Sequence, residues 1–166
     1  MNIYLLRHGD AVDRLTGGCA HDEERPLTEK GQQEAHIAAT SLRGMGVTIA
    51  QIFASPLVRA TQTGDIAAEI LRPTRGLTRC DALAPGGTPE EIIAALAAVG
   101  TDESVLLVGH MPDLGELAGW LIWGDSLVAL PFRTGGLCRI TVPNPPLPGQ
   151  GDFRWFAPPK LLRRLG

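Results

Sequence analysis

The stretch Ile3-Tyr4-Leu5-Leu6-Arg7-His8-Gly9 is a short apolar run that stops abruptly at Arg-His-Gly. Unbroken apolar residues fit a strand buried on both faces, the pattern of a parallel sheet rather than a half-exposed one. Arg7 and His8 then fall at the strand's C-terminal end, the edge where open α/β sheets bind ligands. A second run, Leu106-Leu107-Val108-Gly109-His110, ends the same way.

Helical patterns and further apolar runs alternate along the chain. Residues 9–26 are polar, with Gly17-Gly18 in the middle, and predict a loop. Leu27-Thr28 opens a helix to about Arg43, with Thr28 as N-cap, Glu29 in the first turn and Gly44 and Gly46 as the stop. Residues 49–54 predict a buried strand. Ser55-Pro56 then reads as a cap with proline at the first helical position, opening a helix to about Leu71 that Pro73 ends. Arg59 is expected one turn into it. A short strand is expected at 79–83, and Thr88-Pro89-Glu90-Glu91 is a capping-box start for a helix to Gly100. A strand at 104–108 precedes Gly109-His110, and a helix follows to about Trp123. Residues 127–130 fit no single pattern. Residues 135–142 and 152–157 predict strands, separated by a loop with four prolines, and 158–165 a short terminal helix. The alternation implies βαβ units: an α/β fold, a three-layer αβα sandwich with a mostly parallel central sheet and one antiparallel strand near the end.

At 166 residues one domain is expected. A net charge of −3 does not suit a general nucleic-acid binder, and no apolar run approaches the ~20 residues of a membrane span. No nucleic-acid or membrane partner is therefore expected. Cys19, Cys80 and Cys138 are widely spaced and form no zinc or CxxC pattern, so they read as small apolar residues, and no metal site is expected. The start of the chain lacks the pattern of a signal segment, which makes a cytoplasmic location the default expectation. Arginines outnumber lysines 13 to 2. That bias suits phosphate binding, but genome composition explains it equally well for surface positions.

If both histidine-ended strands are central and parallel, His8, His110, Arg7 and Arg59 meet at one sheet edge. Guanidinium groups bind phosphate oxygens bidentately and stay charged. A neutral imidazole attacks phosphorus when its attacking nitrogen is bare, so the other nitrogen must carry the proton, donated to a backbone carbonyl. Gly9 allows a tight bend there. His110 is placed to donate to the equatorial oxygens of the transferring phosphoryl group. His8 is the candidate nucleophile; Arg7, Gly9, Arg59 and His110 are candidate phosphate ligands; no cofactor is implied.

These residues resemble the histidine phosphatase superfamily, with its phosphoglycerate-mutase-like fold. The resemblance rests on Arg7-His8-Gly9, on Ser55-Pro56-Leu57-Val58-Arg59-Ala60-Thr61-Gln62-Thr63, on Val108-Gly109-His110 and on the helix entrance Arg25-Pro26-Leu27-Thr28-Glu29-Lys30-Gly31. It spans roughly the first three-quarters of the chain, and implies a single histidine phosphatase domain over residues 1–166. Within the superfamily the chain is most similar to the small bacterial phosphohistidine phosphatases, through Arg7 to Ala11 and the short connection at 83–87. That resemblance implies hydrolysis through a phosphorylated His8, acting on the phosphohistidine of a signalling protein such as a phosphotransfer domain. A phosphatase or mutase for a small phosphorylated metabolite is the alternative, and a non-catalytic phosphate-binding module is an alternative of another class. The mutases and sugar bisphosphatases use a carboxylic acid to protonate the leaving group, and Asp81 lies near where that acid is expected. Asp10, Ala11 and Val12 stand where the mutases carry a serine and asparagine pattern.

Arg7 alone also fits a strand-end ion pair, and His110 alone a turn residue. His21 reads as a loop residue and His36 as a helix-surface residue. Arg25 either reaches the substrate or pairs with Glu23 or Glu24. Trp120 and Trp123, three apart, read as packing. Trp155 and Phe156 read as anchors of the last strand.

Overall fold

The computed structural model describes residues 1–14 and 17–164. Strands β1 (Asn2–Arg7), β2 (Gln51–Ala54), β3 (Leu77–Arg79), β4 (Ser104–Gly109), β5 (Leu137–Thr141) and β6 (Asp152–Ala157) form one sheet in the order β3-β2-β4-β1-β5-β6. Helices α1 (Glu29–Gly44), α2 (Val58–Leu71), α3 (Pro89–Ala95), α4 (Asp113–Trp123) and α5 (Pro159–Leu162) cover it. The β3-β2-β4-β1 pairs are parallel. Strand β5 runs against both β1 and β6, so it is the single reversed strand.

The period of two along each central strand divides the core. Ile3, Leu5, Val105 and Leu107 face α3 and α4, where they pack with Ile92, Leu114, Leu117 and Leu121. Tyr4, Leu6, Leu106 and Val108 face the other way, onto Ala38 and Leu42 of α1, Ala60 and Ala67 of α2, and Leu162 of α5. Helices on both faces explain why β1 and β4 contain no polar alternation, and these three layers match the αβα expectation. Each fully buried Leu or Ile contributes about 1.5–3 kcal/mol. No helix among the described residues is long and apolar enough to cross a membrane.

Several boundaries differ from the sequence expectation. The helix after Ser55-Pro56 begins two residues later, at Val58, and Ser55 does not cap it. Arg59 is therefore in the first turn rather than one turn in. At the other end Arg72 is left-handed, with φ 50°; a residue before proline avoids the right-handed helical region. The strand expected at 79–83 lies earlier. The ladder along β2 ends where Cys80 N–H donates to Ala54 O at 2.8 Å, and Asp81–Leu83 then closes a 3-10 turn that buries Leu83. Thr88 forms the full capping box of α3, but the helix stops at Ala95 as i→i+3 bonds tighten the chain as far as Val99. The fifth strand is shorter than 135–142, because Gly135 (φ 67°) and Gly136 form a turn before it. Residues 127–130 are irregular, with Leu127 exposed. The terminal helix is Pro159–Leu162; Leu165 lies outside the described residues, as do Leu15 and Thr16 of the long polar loop. Trp120 packs on the core, whereas Trp123 is half exposed. Trp155 lies 6.1 Å from Tyr4 and Phe156 edge-on to Phe132 at 5.1 Å, the anchoring expected of β6. Cys80 and Cys138 are buried free thiols, but Cys19 is partly exposed.

Candidate active site

The β1–β4 pairing aligns Leu6 with Val108 and Arg7 with Gly109, so the two strands end level. His8 N–H continues the ladder to Gly109 O at 3.1 Å. The two imidazoles consequently arrive side by side, with ring centroids 4.9 Å apart and planes tilted by 56°. Strand β2, on the far side of β4, delivers Ser55 and then Arg59 to the same edge. A cleft of about 460 Å³ is lined by Arg7, His8, Arg59 and His110 together with Asp10, Asp22 and Arg25. The four charged or titratable residues expected to meet do meet there.

The tautomer of His8 follows from one contact. Its Nδ1 lies 2.7 Å from Gly9 O, and a carbonyl only accepts, so Nδ1 carries the proton. Nε2 is left bare, and Arg59 Nε donates to it at 3.3 Å. Burial pushes the His8 pKa down to about 4; the Gly9 carbonyl opposes this, and Arg59, Arg7 and Arg25 add to it. The ring is neutral at pH 7, the state a nitrogen nucleophile needs.

Gly9 donates its N–H to Thr63 Oγ1 at 3.1 Å and accepts His8 Nδ1–H at its carbonyl at 2.7 Å. It is glycine because of close approach rather than a tight bend: a Cβ there would sit 2.3 Å from Gly31 O. Gly31 in turn leaves room for Asp10, whose carbonyl would be 1.9 Å from a Cβ at 31. The start of α1 thereby presses directly on the backbone that carries His8. Thr28 caps that helix, accepting Gly31 N–H at 3.0 Å, and its own N–H donates to Asp10 O.

Arg7 Nη1 donates to Phe132 O at 2.7 Å, while its buried Nε has no partner among the described residues. Burial lowers its pKa, Glu34 opposes the shift and Arg59 adds to it. Arg59 is almost fully buried and its fork is held by one residue: Nη1 donates to Asp22 O at 2.7 Å and Nη2 to Asp22 Oδ2 at 2.9 Å. Arg25 pairs with Asp22 as well, at 2.7 Å, rather than with Glu23 or Glu24. The Arg25 hydrogen bond, followed by the field and bonding of Arg59, holds the Asp22 carboxyl below the usual range. The Asp22 backbone carbonyl and one carboxylate oxygen thus take the two Nη groups, which also suit phosphate oxygens.

His110 Nε2 lies 2.8 Å from Ser55 Oγ, and its buried Nδ1 has no partner among the described residues. Ser55 is fully buried, and its Oγ also accepts Leu57 N–H at 3.3 Å. If the hydroxyl donates to Nε2, the proton of the neutral ring sits on the unpartnered Nδ1, ready for a phosphoryl oxygen. Burial, followed by repulsion from His8 and Arg59, depresses the His110 pKa to about 3.

Asp81 is not part of this arrangement. It is exposed and lines a separate groove with Pro85, Gly87 and Glu91. His21 and His36 are exposed, on the loop and on α1. Sequence reasoning missed Ser55, Thr63, Asp22 and Glu34. Buried Glu34 accepts Asp10 N–H at 3.0 Å and bears on Arg7 through its charge. Its only sequence signal is a carboxylate on the apolar side of α1, beside Ala35 and Ala38. No cluster of three His, Cys, Asp or Glu side chains suited to a metal occurs among the described residues.

The histidine phosphatase superfamily (branch 1) profile matches residues 3–83. The phosphohistidine phosphatase SixA of Escherichia coli (strain K12) is 30% identical over 165 residues, which are 98% of this chain and 97% of that protein. An uncharacterized protein of Picosynechococcus sp. is 37% identical over 143 residues, 84% of each chain. The solved structure of protein histidine phosphatase SixA complexed with tungstate aligns with a TM-score of 0.83 at 31% identity, covering 96% of this chain and 98% of that one. The alpha-ribazole phosphatase from Shigella flexneri shares the fold at 17% identity, with a TM-score of 0.73 over 93% of this chain and 95% of that one. The chain belongs to the histidine phosphatase superfamily.

Proposed function

We propose that this protein, acting as one domain, is a phosphatase that hydrolyses phosphohistidine on a protein through a phosphorylated His8. The observation that carries this is the Nδ1–H donation to Gly9 O, which leaves Nε2 of a neutral, buried imidazole bare beside two arginines. An incoming phosphoryl group displaces Asp22 from Arg59 and lies between Arg59 and Arg7. His8 Nε2 attacks phosphorus, the bond from phosphorus to the leaving nitrogen breaks, and that nitrogen takes a proton from solvent. His110 Nδ1–H donates to an equatorial oxygen as charge develops there. Water then attacks the phosphorus of phospho-His8, the N–P bond breaks, and inorganic phosphate leaves with His8 neutral again.

Two features favour a phosphoramidate over a phosphate ester. Among the described residues, both carboxylates on the cleft wall stay engaged once the phosphoryl group has taken Arg59: Asp22 by Arg25 at 2.7 Å, Asp10 by Thr28 at 2.9 Å and Lys30 at 3.5 Å. Asp22 is held ionised, which suits it poorly to protonating an alkoxide. The nitrogen of phosphohistidine needs no strong enzymic acid. The second feature is the near full-length likeness to the phosphohistidine phosphatase of Escherichia coli.

A substrate panel tests the reading. Phosphohistidine peptides are expected to be turned over far better than sugar phosphates or phosphoglycerates. A large preference for the metabolites makes the protein a small-molecule phosphatase or mutase. Phosphate binding with no turnover of either class makes it a recognition module.

A further inference from the structure

A second groove, about 590 Å³, adjoins the phosphoryl cleft and shares Arg7 and Thr134 with it. Among the described residues its charged lining is Arg7, Lys30, Arg133, Lys160 and Arg163 against the single carboxylate of Glu34. That carboxylate is already used, accepting Asp10 N–H and lying 3.7 Å from Lys30 Nζ. Arg133, Lys160 and Arg163 are exposed, and among the described residues none makes an ion pair or a side-chain hydrogen bond. The chain as a whole carries a net charge of −3, so this concentration of positive charge is local.

We propose that this groove binds acidic side chains of the protein that carries the phosphoryl group, next to the phosphohistidine. The inference rests on the proposed function and specifies its substrate class further. A phosphohistidine on a protein brings a surface with it, and that surface must lie against the rim of the cleft. The rim is asymmetric: Asp22 lines the cleft but not the groove, and the free cations line the groove but not the cleft. The five cations come from four places: the end of β1, helix α1, the turn before β5, and helix α5 with its C-cap. Each exposed charge holds a point anion weakly, so the arrangement suits several carboxylates spread over a surface rather than one small anion. Complementary charge of this kind also speeds encounter.

The test uses the full chain and two synthetic peptides with one phosphohistidine each, one flanked by Asp and Glu, the other by Ser and Gly. At low salt the native protein is expected to turn over the acidic peptide with about tenfold higher kcat/KM, mostly through KM, from a few weak ion pairs acting together. The preference should shrink as salt rises. The triple variant Arg133→Ser, Lys160→Ser, Arg163→Ser should lose the preference and keep its rate on the neutral peptide. Equal rates on the two peptides for the native protein overturn the proposal, as does a preference that survives the triple change. Both peptides are also tested as inhibitors of p-nitrophenyl phosphate hydrolysis. If neither is hydrolysed, the phosphohistidine assignment falls, and the groove is judged by inhibition alone. Stronger inhibition by the acidic peptide, lost in the triple variant, then supports the groove; equal inhibition by both overturns it.

Discussion

The phosphoryl cleft and the basic groove beside it share Arg7 and differ in nearly everything else. In the cleft His8, His110 and Arg59 are buried, and each is held by a named neighbour: Gly9 O, Ser55 Oγ and Asp22. In the groove Arg133, Lys160 and Arg163 are exposed and unpaired among the described residues. The difference separates two physical tasks. Chemistry at phosphorus needs one tautomer and one orientation, which burial and fixed hydrogen bonds supply. Selection among partners needs charge that water already solvates, because an exposed cation can meet a partner's carboxylate without a large desolvation cost.

The contrast predicts steep losses in the cleft and shallow, substrate-dependent ones in the groove. His8→Ala should lower turnover at least about 10⁴-fold on every substrate while the circular dichroism spectrum is unchanged, since it removes the proposed nucleophile. Arg59→Ala should cost about 10²–10³-fold in kcat, as for other groups that stabilise developing charge. Ser55→Ala should cost about 10–100-fold by freeing the His110 proton to shift between nitrogens, with Ser55→Thr recovering part of the rate. A rate unchanged in Ser55→Ala removes that serine from the site. The groove triple variant should change only the acidic substrate, by about tenfold.

The cleft also predicts a pH response the groove should not share. His8 and His110 have folded pKa values of about 4 and about 3 against an ordinary value of 6.5. Between 6.5 and those values the unfolded chain binds more protons, so stability falls as pH falls through this window. Activity should persist on the acid side until His8 protonates near 4. In denaturant titrations from pH 7 to 4, His110→Asn should flatten the loss of stability; an unchanged slope would contradict the burial argument.

Much of this was within reach of the sequence, for definable reasons. The two histidines at one edge follow from two unbroken apolar runs, because only a sheet covered on both faces buries both sides of a strand. Ser55 is hidden because serine before proline carries the signature of a helix cap, and only the fold shows it turned toward His110. Asp22 is hidden because a loop carboxylate gives no sign of its partner 37 residues away. The groove is hidden for the same reason, since positions 30, 133, 160 and 163 share no motif. Asp81 is undecided by sequence because residue type and position do not place a side chain; the turn that carries it leaves it outside the cleft.

The central claim is that His8 becomes phosphorylated during turnover. Rapid quenching in alkali during hydrolysis of a phosphohistidine peptide, followed by mass spectrometry of the intact protein and its fragments, reads this directly. The account predicts one phosphoryl group, acid-labile and alkali-stable, on His8, and none in His8→Ala. Turnover at full rate with no phosphoryl group on His8, or the group on another residue, would contradict it.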